Sequence, residues 1–266
     1  AERSYVAPPV FSPTPAGDRD VILFVDTYAR HFEPEIAEAA QTVLAAAGYR
    51  IQVLVPAPGD AEPARDLCCG RTYLSLGQVQ AARREAARVL AALQPALAAG
   101  TPVVGLEPSC ILSLRDDHLK LGLGEDANRL AKEVWLFEEF IAREADRKRF
   151  AVELKPLSRK ALVHGHCHQK AVGAMKSLRK VLRLIPELDF EFIEASCCGM
   201  AGTFGYEAEH EQISCEMAES ALLPAVRSAA ADTELLANGF SCRCQIEEGS
   251  GRRPRHVALL LQEALA

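Results

Sequence analysis

The chain has 266 residues, 49% of them apolar and 25% charged, and a formal net charge of −6. That length supports one large domain or two small ones around a sizeable core, and the composition is that of an ordinary globular protein. The acidic balance offers no basic surface for nucleic acid, and no apolar run approaches the roughly 18–20 residues that span a bilayer, so no direct membrane insertion is expected.

Residues 1–19 carry Pro8, Pro9, Pro13 and Pro15 without helical or strand period, and read as a linker or arm. The start is polar and lacks a signal-peptide pattern. Without an initiating Met, the chain is expected to be a fragment or a processed product. Val21 to Val25 is an apolar run suited to a buried parallel strand. Helical spacing follows over Glu33 to Ala47 and stops at Gly48, and Tyr49 to Val55 is a second strand. After a polar loop carrying Cys68-Cys69-Gly70, an amphipathic helix spans Leu76 to Leu97 and ends at Gly100. Pro102 to Leu106 is a third strand with Cys110 just beyond it, and a helical stretch runs through Ala127 to Glu144.

The order then repeats. Lys160 to His164 is a strand leading into Gly165-His166-Cys167-His168, and Gly173 to Leu184 is a helix. Phe190 to Ile193 is a strand leading to Cys197-Cys198-Gly199, and Glu207 to Val226 is a helix. Glu234 to Asn238 is a strand leading to Cys242, and His256 to Leu265 is the last helix. The expected fold is therefore α/β. It consists of two pseudo-repeated parallel-sheet halves, residues 20–155 and 156–266, with helices on the sheet faces and cysteines past the C-terminal strand ends. Doubly wound sheets put their ligands at that edge.

Nine cysteines cannot all pair as internal disulfides, and vicinal pairs bridge only through a strained ring. Superposed by element, Cys167, Cys197–Cys198 and Cys242 occupy three strand ends in the second half. Asp26, Cys68–Cys69 and Cys110 take the same places in the first. Thiolates are soft donors that select zinc, Cu(I) or iron–sulfur clusters. A vicinal pair suits a cluster, because neighbouring thiolates can reach different irons, whereas one zinc ion more often uses a C-x₂₋₄-C turn. The glycine after each pair lets the backbone turn tightly, and the amides of Gly202 and Gly205 could donate to sulfur. The bland reading is a set of buried small hydrophobes.

Six stretches carry a resemblance: Phe24-Val25-Asp26-Thr27-Tyr28 with Phe32-Glu33-Pro34-Glu35; Cys68-Cys69-Gly70-Arg71; Gly105 to Cys110; Gly165 to Lys170; Cys197 to Gly202; and Ser241-Cys242-Arg243-Cys244-Gln245-Ile246. Together they resemble the cysteine-rich CCG domain family. That family includes the B subunit of heterodisulfide reductase, the C subunit of anaerobic glycerol-3-phosphate dehydrogenase and the iron–sulfur subunit of glycolate oxidase. The chain looks most like the C-terminal module of fused FAD-linked 2-hydroxyacid oxidases. The resemblance implies an oxidoreductase component for electron transport, holding a 4Fe–4S cluster of cubane or non-cubane form. It implies as partners an FAD-binding dehydrogenase domain or subunit and a ferredoxin-like domain. It also implies a cytoplasmic location, peripheral to the inner membrane through those partners. The chain departs from the family pattern at Asp26, where a lone Cys is expected, and at Glu107 and Gly239, where the first Cys of a C-x-x-C is expected. Four thiolates remain at the second site, enough for a cubane. The first site is left with a labile second cluster, zinc or nothing.

Three functions follow as expectations. The first is an iron–sulfur electron-transfer module of a glycolate- or D-lactate-type dehydrogenase, passing electrons to a quinone or another carrier. The second is a heterodisulfide reductase-like catalytic cluster domain, and the third a zinc-stabilised docking module without redox activity. Around the thiols, His164, His166 and His168 share one face if the strand continues through them. They are expected to donate to sulfur, to couple a proton to the redox step or to replace a missing thiolate, the bland reading being ordinary polar loop residues. Glu107 is expected to bond nearby amides, and Arg71 and Lys170 either offset thiolate charge or sit at the surface. Cys215 is expected to be a buried free thiol. Cys244 is expected to be a bystander on the far side of an extended backbone. Trp135 is expected to pack a helix.

Overall fold

The computed structural model describes residues 19–266, so the arm expected over residues 1–19 lies outside the described residues except for Arg19. The chain divides into two compact units, one running to Phe140 and one spanning Ile141–Ala266. In the first, β1 (Arg19–Phe24) is central and pairs in parallel with β2 (Tyr49–Val53) and β3 (Val103–Gly105), and β3 carries β4 (Val134–Leu136) in parallel at its other edge. Val21, Ile22, Leu23 and Phe24 are all buried, as a central strand covered on both faces requires. Parallel neighbours need long crossovers, supplied here by helices. These are α1 (Thr27–His31), α2 (Pro34–Ala46), α3 (Arg71–Ser75), α4 (Val79–Ala99), α5 (Pro108–Ser113) and α6 (Glu125–Glu133); α7 (Phe137–Asp146) contains the division between the units. Pro34 and Pro108 start their helices, where a missing N–H costs nothing, and Gly100 closes α4 at φ +65°.

The second unit repeats the plan with β5 (Arg159–His164) central between β6 (Leu188–Phe192) and β7 (Glu234–Ala237), again all parallel. Its helices are α8 (Cys167–Ala171), α9 (Met175–Leu182), α10 (Glu211–Glu219), α11 (Leu222–Ser228), α12 (Phe240–Ser250) and α13 (Val257–Ala264). Residues of the 150s join this unit: the Lys155 amide donates to the Ala264 carbonyl, and Leu154 bridges Leu265. Each unit thus has the strand order second–first–third; cysteine segments follow all three strands in the second unit and two in the first, where Asp26 follows β1.

Three elements differ from the sequence expectation. The stretch from Ala127 to Glu144 is two helices separated by β4, which places Trp135 on a strand. Glu139 accepts the Leu136 amide and so begins α7 afresh. The helix expected over Glu207 to Val226 breaks at Ala221 (φ −156°) and restarts with Pro224 in the first turn of α11, where its lack of an N–H does no harm. Finally, β5 ends at His164 and His166 caps α8, so His164, His166 and His168 do not share a strand face.

Candidate metal centre

The second-unit site is built from three strand ends. His166, two residues beyond β5, accepts the His168 amide at Nδ1 (3.2 Å), while Gln169 accepts the His166 amide (3.0 Å). This reciprocal cap starts α8 and puts Cys167, its first residue, in the open. Beyond β6, Cys197 is half-buried and Cys198 buried. Gly199 (φ +96°) turns the chain so that its amide donates to the Cys197 sulfur at 3.4 Å. A Cβ on Gly199 would meet the Ser214 carbonyl oxygen at 2.1 Å, so only glycine lets α10 pack this closely. Gln245 of α12 donates to that same carbonyl (3.1 Å) and braces the loop from the other side. Beyond β7, Cys242 is buried in the first turn of α12.

Hydrogen bonds among the four thiols favour the thiolate at two of them, Cys197 and Cys242. Cys197 is held far below the ordinary thiol range by the Cys167 and Cys198 thiols and by backbone amides, despite burial. Cys242 is pushed well down by the Cys198 thiol and, against burial, by the imidazoles of His164 and His166 nearby. Cys167 and Cys198 are raised chiefly because they donate to the sulfur of Cys197. Lys170, one turn along α8, donates to the carbonyls of Ala195 and Ser196, and its cation faces all four thiols. The Gly205 amide goes to the Met200 carbonyl, so it is spent within the loop rather than on sulfur.

The first unit has the same frame with different chemistry. Residues 21–30 and 161–170 share one burial pattern, which aligns Asp26 with His166 and Thr27 with Cys167. Asp26 therefore stands one residue before the place assigned to it by element order. Its Oδ1 accepts the Tyr28 and Ala29 amides (2.9 and 3.1 Å) and caps α1, while its buried Oδ2 has no hydrogen-bond partner. Glu107 caps α5 through Ser109, as expected. Gly70 (φ +81°) donates to the Cys68 sulfur at 3.4 Å, and His118 holds the Cys69 carbonyl at 2.8 Å. Asp26, Cys69 and Cys110, three of the four residues selected from the sequence, act on the Tyr28 hydroxyl together with Glu107, and Cys68 joins them through its neighbour Cys69.

The first site resists ionisation. The Cys69 thiol draws Cys110 down, but burial and the two carboxylates lift it to about 11. Cys68 and Cys69 also rise, through their neighbouring thiols and burial. Burial and the Glu107 charge raise Asp26 to about 6. Arg71 pairs with Asp117 (3.0 Å). Among the described residues, only His164, Cys198 and Cys242 form a group of three or more such donors with ligand atoms all within 4.8 Å of one another.

Two other cysteines complete the set. Cys215 is exposed on α10, not buried, because the helix turns Ser214 and Ala218 inward instead. Cys244 is buried on α12 rather than on a strand; two residues along a helix is about 200°, which also turns it away from Cys242.

The chain is 27% identical over 247 residues to the C subunit of anaerobic glycerol-3-phosphate dehydrogenase of Escherichia coli, covering 92% of this chain and 59% of that protein. It is 27% identical over 256 residues to D-2-hydroxyglutarate dehydrogenase of Pseudomonas putida, covering 94% of this chain and 23% of that protein. It is 26% identical over 250 residues to lactate utilization protein A of Bacillus velezensis, covering 90% and 95%. Among the described residues no helix is long and apolar enough to cross a membrane. The cysteine-rich domain model matches residues 161–246, which contain Cys167, Cys197, Cys198 and Cys242. That segment of the chain is a cysteine-rich domain of the CCG family.

Proposed function

We propose that the chain is the iron–sulfur electron-transfer module of a flavin-linked 2-hydroxyacid dehydrogenase, with its cluster in the second unit on Cys167, Cys197, Cys198 and Cys242. The observation that carries this reading is the convergence of four thiols, two of them disposed to ionise, at three adjacent strand ends beside Lys170. Soft, deprotonated sulfur on separate segments is the donor set an iron–sulfur cluster needs. A cluster bound there supplies one-electron transfer. The Gly199 amide orients Cys197, and Lys170 offsets thiolate charge and ties α8 to the Cys-Cys-Gly loop. The first-unit set of Asp26, Cys68, Cys69 and Cys110 mixes hard oxygen with reluctant thiols, a set better suited to zinc than to a cluster.

The flavin domain, the ferredoxin-like domain and the quinone or other acceptor belong to the same proposal. Their support is the dehydrogenase relatives, of which this chain spans 59% and 23%. Iron and acid-labile sulfide per chain, with an EPR spectrum, test the proposal on anaerobically prepared protein and a Cys197→Ser variant. About four irons in the parent, lost in the variant, are expected. Zinc alone, unaffected by that substitution, would overturn the reading and leave a docking module.

A further inference from the structure

We propose that His164 is itself a metal ligand of the second-unit site, giving one nitrogen donor beside the sulfurs of Cys198 and Cys242. The inference rests on the metal-centre reading above and changes its donor set. His164 is 1% exposed, and neither ring nitrogen meets an oxygen or nitrogen partner; the polar group the ring faces is the Cys242 thiol. Burying an unpartnered polar atom is destabilising, so an imidazole kept for packing alone would be an unfavourable choice. The other buried histidines each have a nitrogen engaged: His118 on the Cys69 carbonyl, His166 on the His168 amide and His256 on the Ala258 amide.

The two units show what packing alone requires. His164 ends β5 and pairs in register with Ala237; Phe24 ends β1 and pairs with Gly105. The fold accepts a buried hydrocarbon ring at this place, and the second unit puts a lone-pair donor there instead. Its ligand atom lies within 4.8 Å of both the Cys198 and Cys242 sulfurs. Donors this close can serve one metal centre, on a single ion or on neighbouring irons of a cluster.

His166 cannot do the same. Its Nδ1 accepts a backbone N–H, so the neutral ring carries its proton on Nε2 and donates rather than ligates. It takes up the space beside Gly239, where an added Cβ would meet His166 Cδ2 at 2.5 Å and the Cys242 sulfur at 3.2 Å. The position where the family resemblance expects a further cysteine is therefore closed by the His166 ring. The imidazole ligand enters from β5 instead. With His164 in one ligand place, three of the four thiolates complete a cubane's set, and a neutral nitrogen in place of the fourth makes the centre less negative and raises its reduction potential.

The test uses the full chain, reconstituted anaerobically with iron and sulfide, reduced, and made once with ordinary and once with ¹⁵N-labelled histidine. Pulsed EPR is expected to show a directly bound nitrogen whose coupling changes with the label and disappears in His164→Phe, whose ring has its first-unit counterpart in Phe24. His164→Cys is expected to keep the metal and shift the midpoint potential downward. A parent that binds iron but shows no label-sensitive nitrogen, with all three proteins at one potential, overturns the assignment and leaves the thiolate centre standing. A parent that binds neither iron nor added Co²⁺ overturns both.

Discussion

Gly70 and Gly199 hold the same left-handed turn, at φ +81° and +96°, and each donates its amide to the sulfur two residues back at 3.4 Å. The two turns differ in how tightly they are enclosed. An added Cβ would come within 2.9 Å of the Ala82 carbonyl oxygen at Gly70, but within 2.1 Å of the Ser214 carbonyl oxygen at Gly199. Gly199→Ala is therefore expected to lose about 2–4 kcal/mol, combining left-handed strain with overpacking, and Gly70→Ala about 1–2 kcal/mol. Urea denaturation of both variants checks the ranking. Equal losses would mean that α10 yields as readily as α4.

Exposure and charge disagree at Cys167, and alkylation can separate them. Cys167 and Cys215 are both exposed, but Cys167 is raised because its thiol proton is donated to Cys197. The thiolate is the reactive form. In reduced, metal-free protein at pH 7, iodoacetamide is expected to label the half-buried thiolate Cys197 and the exposed Cys215 ahead of Cys167, which is several-fold slower despite its exposure. Cys69, Cys110, Cys198, Cys242 and Cys244 are buried and should react only on unfolding. Mass spectrometry of timed samples reads the order directly, and Cys167 reacting as fast as Cys215 would refute the shared-proton arrangement.

The central strands are legible in the sequence because an apolar run covered on both faces needs no partner to be recognised, and both cysteine sets lie where strand ends put them. β4 is hidden because three residues between two helices hardly interrupt a helical pattern. Element order sets Asp26 one residue late because the alignment depends on where β1 stops and α1 is capped, and hydrogen bonds set both points. Cys215 defies expectation because average burial by residue type says nothing of direction: Ile213 and Met217 beside it are 50% and 39% exposed. His164 cannot be singled out from its neighbours as long as all three are taken to alternate along one strand.

Lys170 joins α8 to the Cys-Cys-Gly loop through two carbonyls, those of Ala195 and Ser196, at the edge of solvent. Water can replace part of this contact, so Lys170→Met is expected to cost only about 1–2 kcal/mol globally. Its local effect should be larger. Amide exchange at Ser196 to Gly199 is expected to speed up about tenfold or more, because these residues have few other anchors. Lys170→Arg should recover part of the protection through its own donors. Unchanged exchange in the Met variant would show that Gly199 and Ser214 hold the loop unaided.

Asp26 gives the metal-free protein a pH dependence of defined sign. Its carboxyl lies at about 6 through burial and the Glu107 charge, above the roughly 3.9 of an unfolded chain. A raised acid binds its proton more tightly when folded. Its stabilising contribution is therefore complete below about pH 4 and is lost as the pH rises through 6, a swing on the order of 2–3 kcal/mol. Asparagine keeps an oxygen for the Tyr28 and Ala29 amides but carries no charge. Asp26→Asn is thus expected to match the parent near pH 4 and to be the more stable protein at pH 7.5, as judged by urea midpoints after metal removal. A variant less stable at pH 7.5 would mean that a cation the carboxylate needs reaches this corner of the first unit. Adding Zn²⁺ then separates burial from ligation: if Asp26 binds the ion, zinc should stabilise the parent more than the variant, and the order of the two proteins should narrow or invert.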